Sequence, residues 1–274
     1  MTKFDPAGRA STESLPPHAA HAPSNVLFLT EGFRALLDLG MLLGSAPILT
    51  ALPAGDGHPV MVLPGLMGSD SSTLVLRRIL LRLGYPAHCW NLGVNIGPTR
   101  KILGGMRDRL ELLADRHRQP VSLIGWSLGG IFARRIARER PKAARQVITV
   151  GSPFGMVDSR QSRANAVYKL NADRHAERWD LPIPSEQEPL TVPSTAIYSR
   201  LDGIVAWGTC LDEPGPTAEN IEVCASHTGM GVHPATIWAI ADRLAQPAGE
   251  WKPFRPPRLL RRAFPGPASA RPRE

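Results

Sequence analysis

Residues 121–130 read VSLIGWSLGG, an apolar run ending in a serine that stands between Gly125 and Gly129. Val121 to Trp126 has the length and apolar character of a buried strand. Residues 128–141, LGGIFARRIARERP, carry apolar side chains at helical spacing and must stop as a helix before Pro141. A strand that runs directly into a helix at Ser127 needs a tight, strained bend. Small residues on both sides relieve the crowding between the two elements. The bend would lift the Ser127 hydroxyl above the carboxyl edge of a sheet, where the start of the helix offers free backbone N–H groups. A tight turn with an N-cap serine and no chemistry is the plain alternative.

Outward from this stretch the pattern alternates. PVMVLP (59–64) reads as a strand, TLVLRRILLRLG (73–84) as a helix, AHCWNL (87–92) as a weaker strand and ILGGMRDRLELLADRH (102–117) as a helix. QVITVG (146–151), STAIYS (194–199) and ENIEVCA (219–225) are further short β-rich runs, and PATIWAIADRLA (234–245) closes the series as a helix. Alternation of this kind predicts an α/β domain with a mostly parallel sheet covered by helices on both faces. The stretch 154–192 has little strand character and is long for a simple connection, so it reads as a cap or lid inserted into the domain.

The chain has 274 residues, 43% hydrophobic and 20% charged, enough for one large domain and too apolar for global disorder. Its net charge of +8 permits attraction to anionic surfaces. Much of that excess lies in residues 248–274, a Pro/Arg-rich stretch expected as a solvated arm. Neither zinc-finger spacing nor an RNA-binding aromatic signature is present, so nucleic acid is not an expected partner. Residues 1–25 lack an apolar signal core and read as a flexible arm, which places the expected location in the cytoplasm. Residues 26–55 form an amphipathic helical region in which Glu31, Arg34 and Asp38 recur at helical spacing and argue against a membrane span. Packing on the domain is the first expectation for it. Peripheral membrane contact through this helix or the basic tail is the second. Cys210 and Cys224 could close one loop or remain free thiols.

Five motifs then stand in a telling order: PGLMGS (64–69), GWSLGG (125–130), GSPF (151–154), LDGIV (201–205) and SHTGM (226–230). With them the chain resembles the α/β-hydrolase family, in its bacterial lipase and esterase branch, over roughly residues 56–245, within an expected domain of 56–247. The resemblance implies an α/β-hydrolase fold and a nucleophile elbow at Ser127. It also implies the order serine, acid, histidine, with the partners on loops after later strands. Asp202 and His227 occupy those places, each just beyond a strand. The implied roles are Ser127 as nucleophile, His227 as base and Asp202 as the group that holds the ring. Asp158 is the competing acid and His233 the competing base. His58, His88, His117 and His175 lie in the wrong contexts, and Asp212 reads as solvated. The backbone N–H groups of Leu128 and Leu66 are the implied oxyanion donors, with Met67 as fallback. Pro64 departs from the family's usual histidine there.

The expected chemistry is hydrolysis of a carboxylic ester or lipid through an acyl-enzyme. Acyl transfer to an alcohol and a catalytically silent binding scaffold are the alternatives. Phe154, Met156, Val157, Tyr168, Leu170, Trp179 and Leu181 are candidate apolar lining, and Trp126 is expected to be buried beneath the bend. No cofactor or metal is called for, although the resemblance leaves room for a structural calcium.

Overall fold

The computed structural model describes residues 22–45, 49–176 and 188–266. Six strands form one sheet in the order β2-β1-β3-β4-β5-β6, every neighbouring pair parallel. They are β1 (Val60–Leu63), β2 (Ala87–Cys89), β3 (Val121–Trp126), β4 (Ala144–Val150), β5 (Ser194–Tyr198) and β6 (Ala218–Glu222). The helices are α1 (Asn25–Leu29), α2 (Glu31–Gly44), α3 (Leu74–Arg82), α4 (Arg100–His117), α5 (Leu128–Glu139), α6 (Asn165–Lys169) and α7 (Pro234–Leu244).

The period-two alternation of β1 sorts the core into two layers. Val60 and Val62 face one layer with Leu76 and Leu80 of α3 and Ile237, Ile240 and Leu244 of α7. Met61 and Leu63 face the other, with Met106, Leu110 and Leu113 of α4 and Ile131, Phe132 and Ile136 of α5. Both faces are thus covered, as an all-parallel sheet requires. Chain order reverses at β1, with β2 on one side and β3 on the other. In such sheets ligands bind in the crevice beyond the carboxyl ends at this switch point. PGLMGS follows β1 there and Ser127 follows β3.

The expected strands and helices of residues 59–245 all appear, within a few residues of their expected ends. Two other expectations fail. Asp212, read as solvated, is buried. It accepts hydrogen bonds from Arg134 (2.6 Å and 3.3 Å) and from Ser194 Oγ (2.7 Å), while the Arg134 guanidinium also lies 4.0 Å over the Phe154 ring. A charge buried mid-helix needs such a partner, and the loop of prolines and glycines delivers one. Part of the C-terminal segment, read as a solvated arm, packs instead. Phe264 is buried, Phe254 meets it edge-on with ring centres 4.9 Å apart, and Arg243 donates to the Lys252 carbonyl (2.6 Å). Residues 267–274 and 1–21 lie outside the described residues.

Helix α2 packs on the domain, as expected, against α7, and it does so with its charged stripe inward. Glu31 and Asp38 are buried, whereas Phe33, Leu36 and Leu43 on the same helix are 65%, 67% and 77% exposed. The amphipathic pattern was read correctly as helix, but its polar side is the one that docks. Cys89, Cys210 and Cys224 are all free thiols, Cys210 buried and Cys224 exposed. No helix among the described residues is long and apolar enough to cross a membrane.

Because Arg134 is fully buried, Asp212→Ala leaves a core cation without its carboxylate and should lower unfolding free energy by about 3–5 kcal/mol. Urea unfolding followed by circular dichroism measures this, and Ser194→Ala should cost far less.

Candidate active site

At the end of β3 the backbone turns sharply. Ser127 has φ 52° and ψ −122°, a conformation costing roughly 1–3 kcal/mol for a residue with a Cβ. Its backbone N–H is fixed to the Val150 carbonyl of β4 at 2.8 Å. The flanking glycines are required by close approach. A Cβ on Gly125 would collide with the backbone of Gly129 and Gly130, and one on Gly129 with the carbonyls of Leu63 and Pro64. The bend therefore wedges α5 against the ends of β1 and β3, leaving Ser127 partly exposed.

Asp202 and His227, on the loops after β5 and β6, are brought together. His227 Nδ1 lies 2.6 Å from Asp202 Oδ2, and both residues are buried. The other carboxylate oxygen, Oδ1, accepts the N–H groups of Ile204 and Val205, each at 2.8 Å. With Nδ1–H donated to the carboxylate, the Nε2 lone pair of the neutral ring is left available. The ring rests against Gly151, where a Cβ would sit 3.2 Å from Nδ1. Gly151 is the neighbour of the residue that accepts from the Ser127 N–H. The indole Nε1 of Trp126, partly buried rather than sealed beneath the bend, donates to the His227 carbonyl at 3.1 Å. The histidine loop is thus tied to both sides of the serine bend.

Burial works against a positive charge on His227, but the Asp202 carboxylate, its hydrogen bond and the nearby Glu31 outweigh this and hold the imidazole above its ordinary range. The rival groups lie elsewhere. Asp158 caps a short turn and pairs with Arg160 at 2.6 Å in an exposed position. His233 caps α7, with Nδ1 accepting from the Ala235 N–H at 3.3 Å. His88 and His117 face one another at 2.9 Å, His58 bonds Asp56 and Ser122, and His175 bonds the Ile96 carbonyl.

The loop after β1 covers the serine. A Cβ on Gly65 would lie 3.1 Å from Ser127 Cβ. The Met67 N–H, the fallback donor, is already spent on the Asn95 carbonyl at 2.7 Å, whereas no described residue accepts from the N–H of Leu66 or Leu128. Asn95 also donates through Nδ2 to the Pro64 carbonyl at 2.8 Å and bonds Gly68 through its backbone, so it braces the whole loop. Its role was not legible in the sequence, where no motif marks Asn95.

A cavity of about 510 Å³ opens over Ser127, with Leu66, Leu128, Ile131, Met156 and Tyr168 among its walls. It stops short of the buried Asp202 and His227. Of the expected lining, Met156 and Tyr168 reach it and Phe154 belongs to the core, while Val157 and Leu170 face outward. Trp179 and Leu181 fall outside the described residues. Among the described residues, no group of three or more His, Cys, Asp or Glu side chains is placed to hold a metal.

Neither a protein-family model nor a curated protein matches the chain. Solved structures do. Lipase B from Aspergillus fumigatus superposes with a TM-score of 0.55 at 16% identity, covering 72% of this chain and 55% of that one. A probable hydrolytic enzyme from Pseudomonas aeruginosa PAO1 superposes with a TM-score of 0.51 at 13% identity, covering 72% and 88% respectively. The chain spans only about half the length of the fungal lipase. At these identities the likeness speaks to architecture alone, and with the parallel six-stranded sheet it shows that the chain has the α/β-hydrolase fold.

Proposed function

We propose that the protein is a serine hydrolase of carboxylic esters. The observation that carries this reading is the buried Asp202–His227 pair, 2.6 Å apart, on the same sheet edge as the strained Ser127. In the proposed cycle His227 Nε2 takes the Ser127 proton as Oγ attacks the ester carbonyl. The N–H groups of Leu66 and Leu128 then stabilise the oxyanion. His227 passes the proton to the leaving alcohol, and water activated by the same ring deacylates the serine. Asp202 holds the ring in the tautomer that exposes Nε2 and supports its transient charge.

Three features support the reading. The two candidate oxyanion donors line the same cavity as Ser127 and have no other described acceptor. The cavity walls include leucine, isoleucine, methionine and tyrosine, which suit an acyl chain, beside the polar Ser159, Ser162, Asn165, Lys169 and His175. The similar solved structures include a lipase, an activity this fold can support without implying it.

A fluorophosphonate probe should label the wild-type protein and fail on Ser127→Ala. Asp202→Asn should lower kcat by about three to four orders of magnitude with little change in KM. Absence of wild-type labelling, or full activity in either variant, overturns the assignment.

The pH dependence has a definite sign. A base whose pKa is raised is protonated, and idle, up to a pH above the ordinary histidine range. kcat/KM should therefore climb with pH through an ionisation above that of free imidazole, and Asp202→Asn should move the residual activity's limb downward.

Chain length tests the acyl pocket. Across p-nitrophenyl esters from acetate upward, each methylene that enters the cavity should raise kcat/KM by up to about fourfold until the cavity is full. A preference for acetate would disprove an acyl pocket. Running the series with and without an added alcohol shows whether water or alcohol takes the acyl group.

A further inference from the structure

The charged stripe of α2 reaches both loops of the candidate site. One carboxylate, Glu31, accepts the Thr228 N–H through Oε1 (2.7 Å) and the Gly203 N–H through Oε2 (3.1 Å). These are the residues immediately after His227 and Asp202. Two turns further along the helix, Asp38 Oδ2 accepts from the Ser226 N–H (2.9 Å) and Ser226 Oγ (2.5 Å), the residue immediately before His227. Arg34, between them, donates to Glu31 (2.8 Å) and to the carbonyls of Leu27 and Leu201, the last being the residue before Asp202. Both neighbours of each site residue are therefore gripped from one helix.

Glycines in the loops record the same approach. A Cβ on Gly203 would lie 2.6 Å from Glu31 Oε2, and a Cβ on Gly229 would overlap the Asp38 carboxylate. Apolar burial does not explain how α2 is held, because its large apolar side chains point mostly outward and Leu42 is the one buried leucine on it. Two carboxylates are desolvated instead. Such burial is unfavourable unless each charge finds donors, and here the donors are backbone N–H groups of the two loops, the Ser226 hydroxyl and the Arg34 guanidinium.

We propose that Glu31, assisted by Asp38, is a positioning residue that sets the spacing and register of the loops carrying Asp202 and His227. This rests on the reading of Ser127, Asp202 and His227 as the reacting set. Glu31 touches neither substrate nor reacting atoms and acts through its two backbone contacts. It also adds negative charge behind the imidazole. The charged groups acting on His227 are Asp202, from the loop after β5, and Glu31 on α2; behind them Arg34 pairs with Glu31, Asp38 holds Ser226, and His233 on α7 faces Asp38.

The test uses the full chain, a short-chain p-nitrophenyl ester, and fluorophosphonate titration to count competent sites. Wild-type labelling and hydrolysis establish the parent reading, and their absence defeats that reading rather than this one. Given them, Glu31→Gln should lower kcat by about 10- to 100-fold with KM within a few-fold, as expected for a misplaced base. Its acidic limb should move to lower pH, because one of the negative charges favouring the imidazolium is gone. Arg34→Met leaves the Glu31 carboxylate and removes its counter-charge, so its limb should move the opposite way. Leu36→Ser, on the exposed face of the same helix, should leave both quantities unchanged. Equal kcat per titrated site in Glu31→Gln, or loss of activity with no movement of the limb in either charge variant, overturns the proposal. If Glu31→Gln does not fold, the Arg34→Met limb decides alone: an upward shift supports the proposal and an unmoved limb refutes it.

Discussion

The structure depends on one crowded crossing, where β3 turns into α5 beneath the ends of β1 and β4. Backbone meets backbone there: Gly129 faces the carbonyls of Leu63 and Pro64, and Gly125 faces the start of α5. No residue with a side chain fits at either position without moving a strand. The serine between them is forced into a left-handed conformation and projected out of the packed layer. The rest of the sheet supplies the rigidity that sustains this strain, since strain of this kind persists only where surrounding packing over-determines it.

From that crossing the site follows by topology. In an all-parallel sheet every strand ends at the same edge, so loops from distant parts of the chain meet over the same crevice. The loop after β1 arrives over Ser127 and is braced by Asn95. The loops after β5 and β6 arrive side by side and join Asp202 to His227. Trp126 and Gly151 then tie the histidine loop to the serine bend. Each contact is individually small. Together they fix how the loops after β1, β5 and β6 sit around the serine bend.

Helix α2 shows the opposite logic from an ordinary surface helix. It turns its carboxylates inward and, Leu42 apart, its leucines outward, so its place is set more by directional bonds than by area removed from water. Hydrogen bonds specify geometry more sharply than apolar contact does, because each donor meets one acceptor at one distance. A helix held in this way is a poor source of stability and a good source of register for the loops it touches.

The local pattern of the chain was enough to decide the alternating architecture and the bend at Ser127, because strand and helix periods and close-packed glycines are properties of neighbours in sequence. The resemblance to the α/β-hydrolase family, rather than local pattern, pointed to Asp202 and His227, because it implies an acid and then a histidine on loops just beyond later strands. Pairing was another matter. Asp212 looked solvated among prolines and glycines until Arg134, 78 positions away, was found beside it. The segment around Phe254 and Phe264 looked like a free arm until α7 offered it a surface. The stripe of Glu31, Arg34 and Asp38 announced a two-sided helix, but periodicity has no sign: it shows that two faces differ, never which one points inward. That was decided by the backbone donors of loops up to 197 positions away, whose need for acceptors exists only once the sheet has gathered them at its edge.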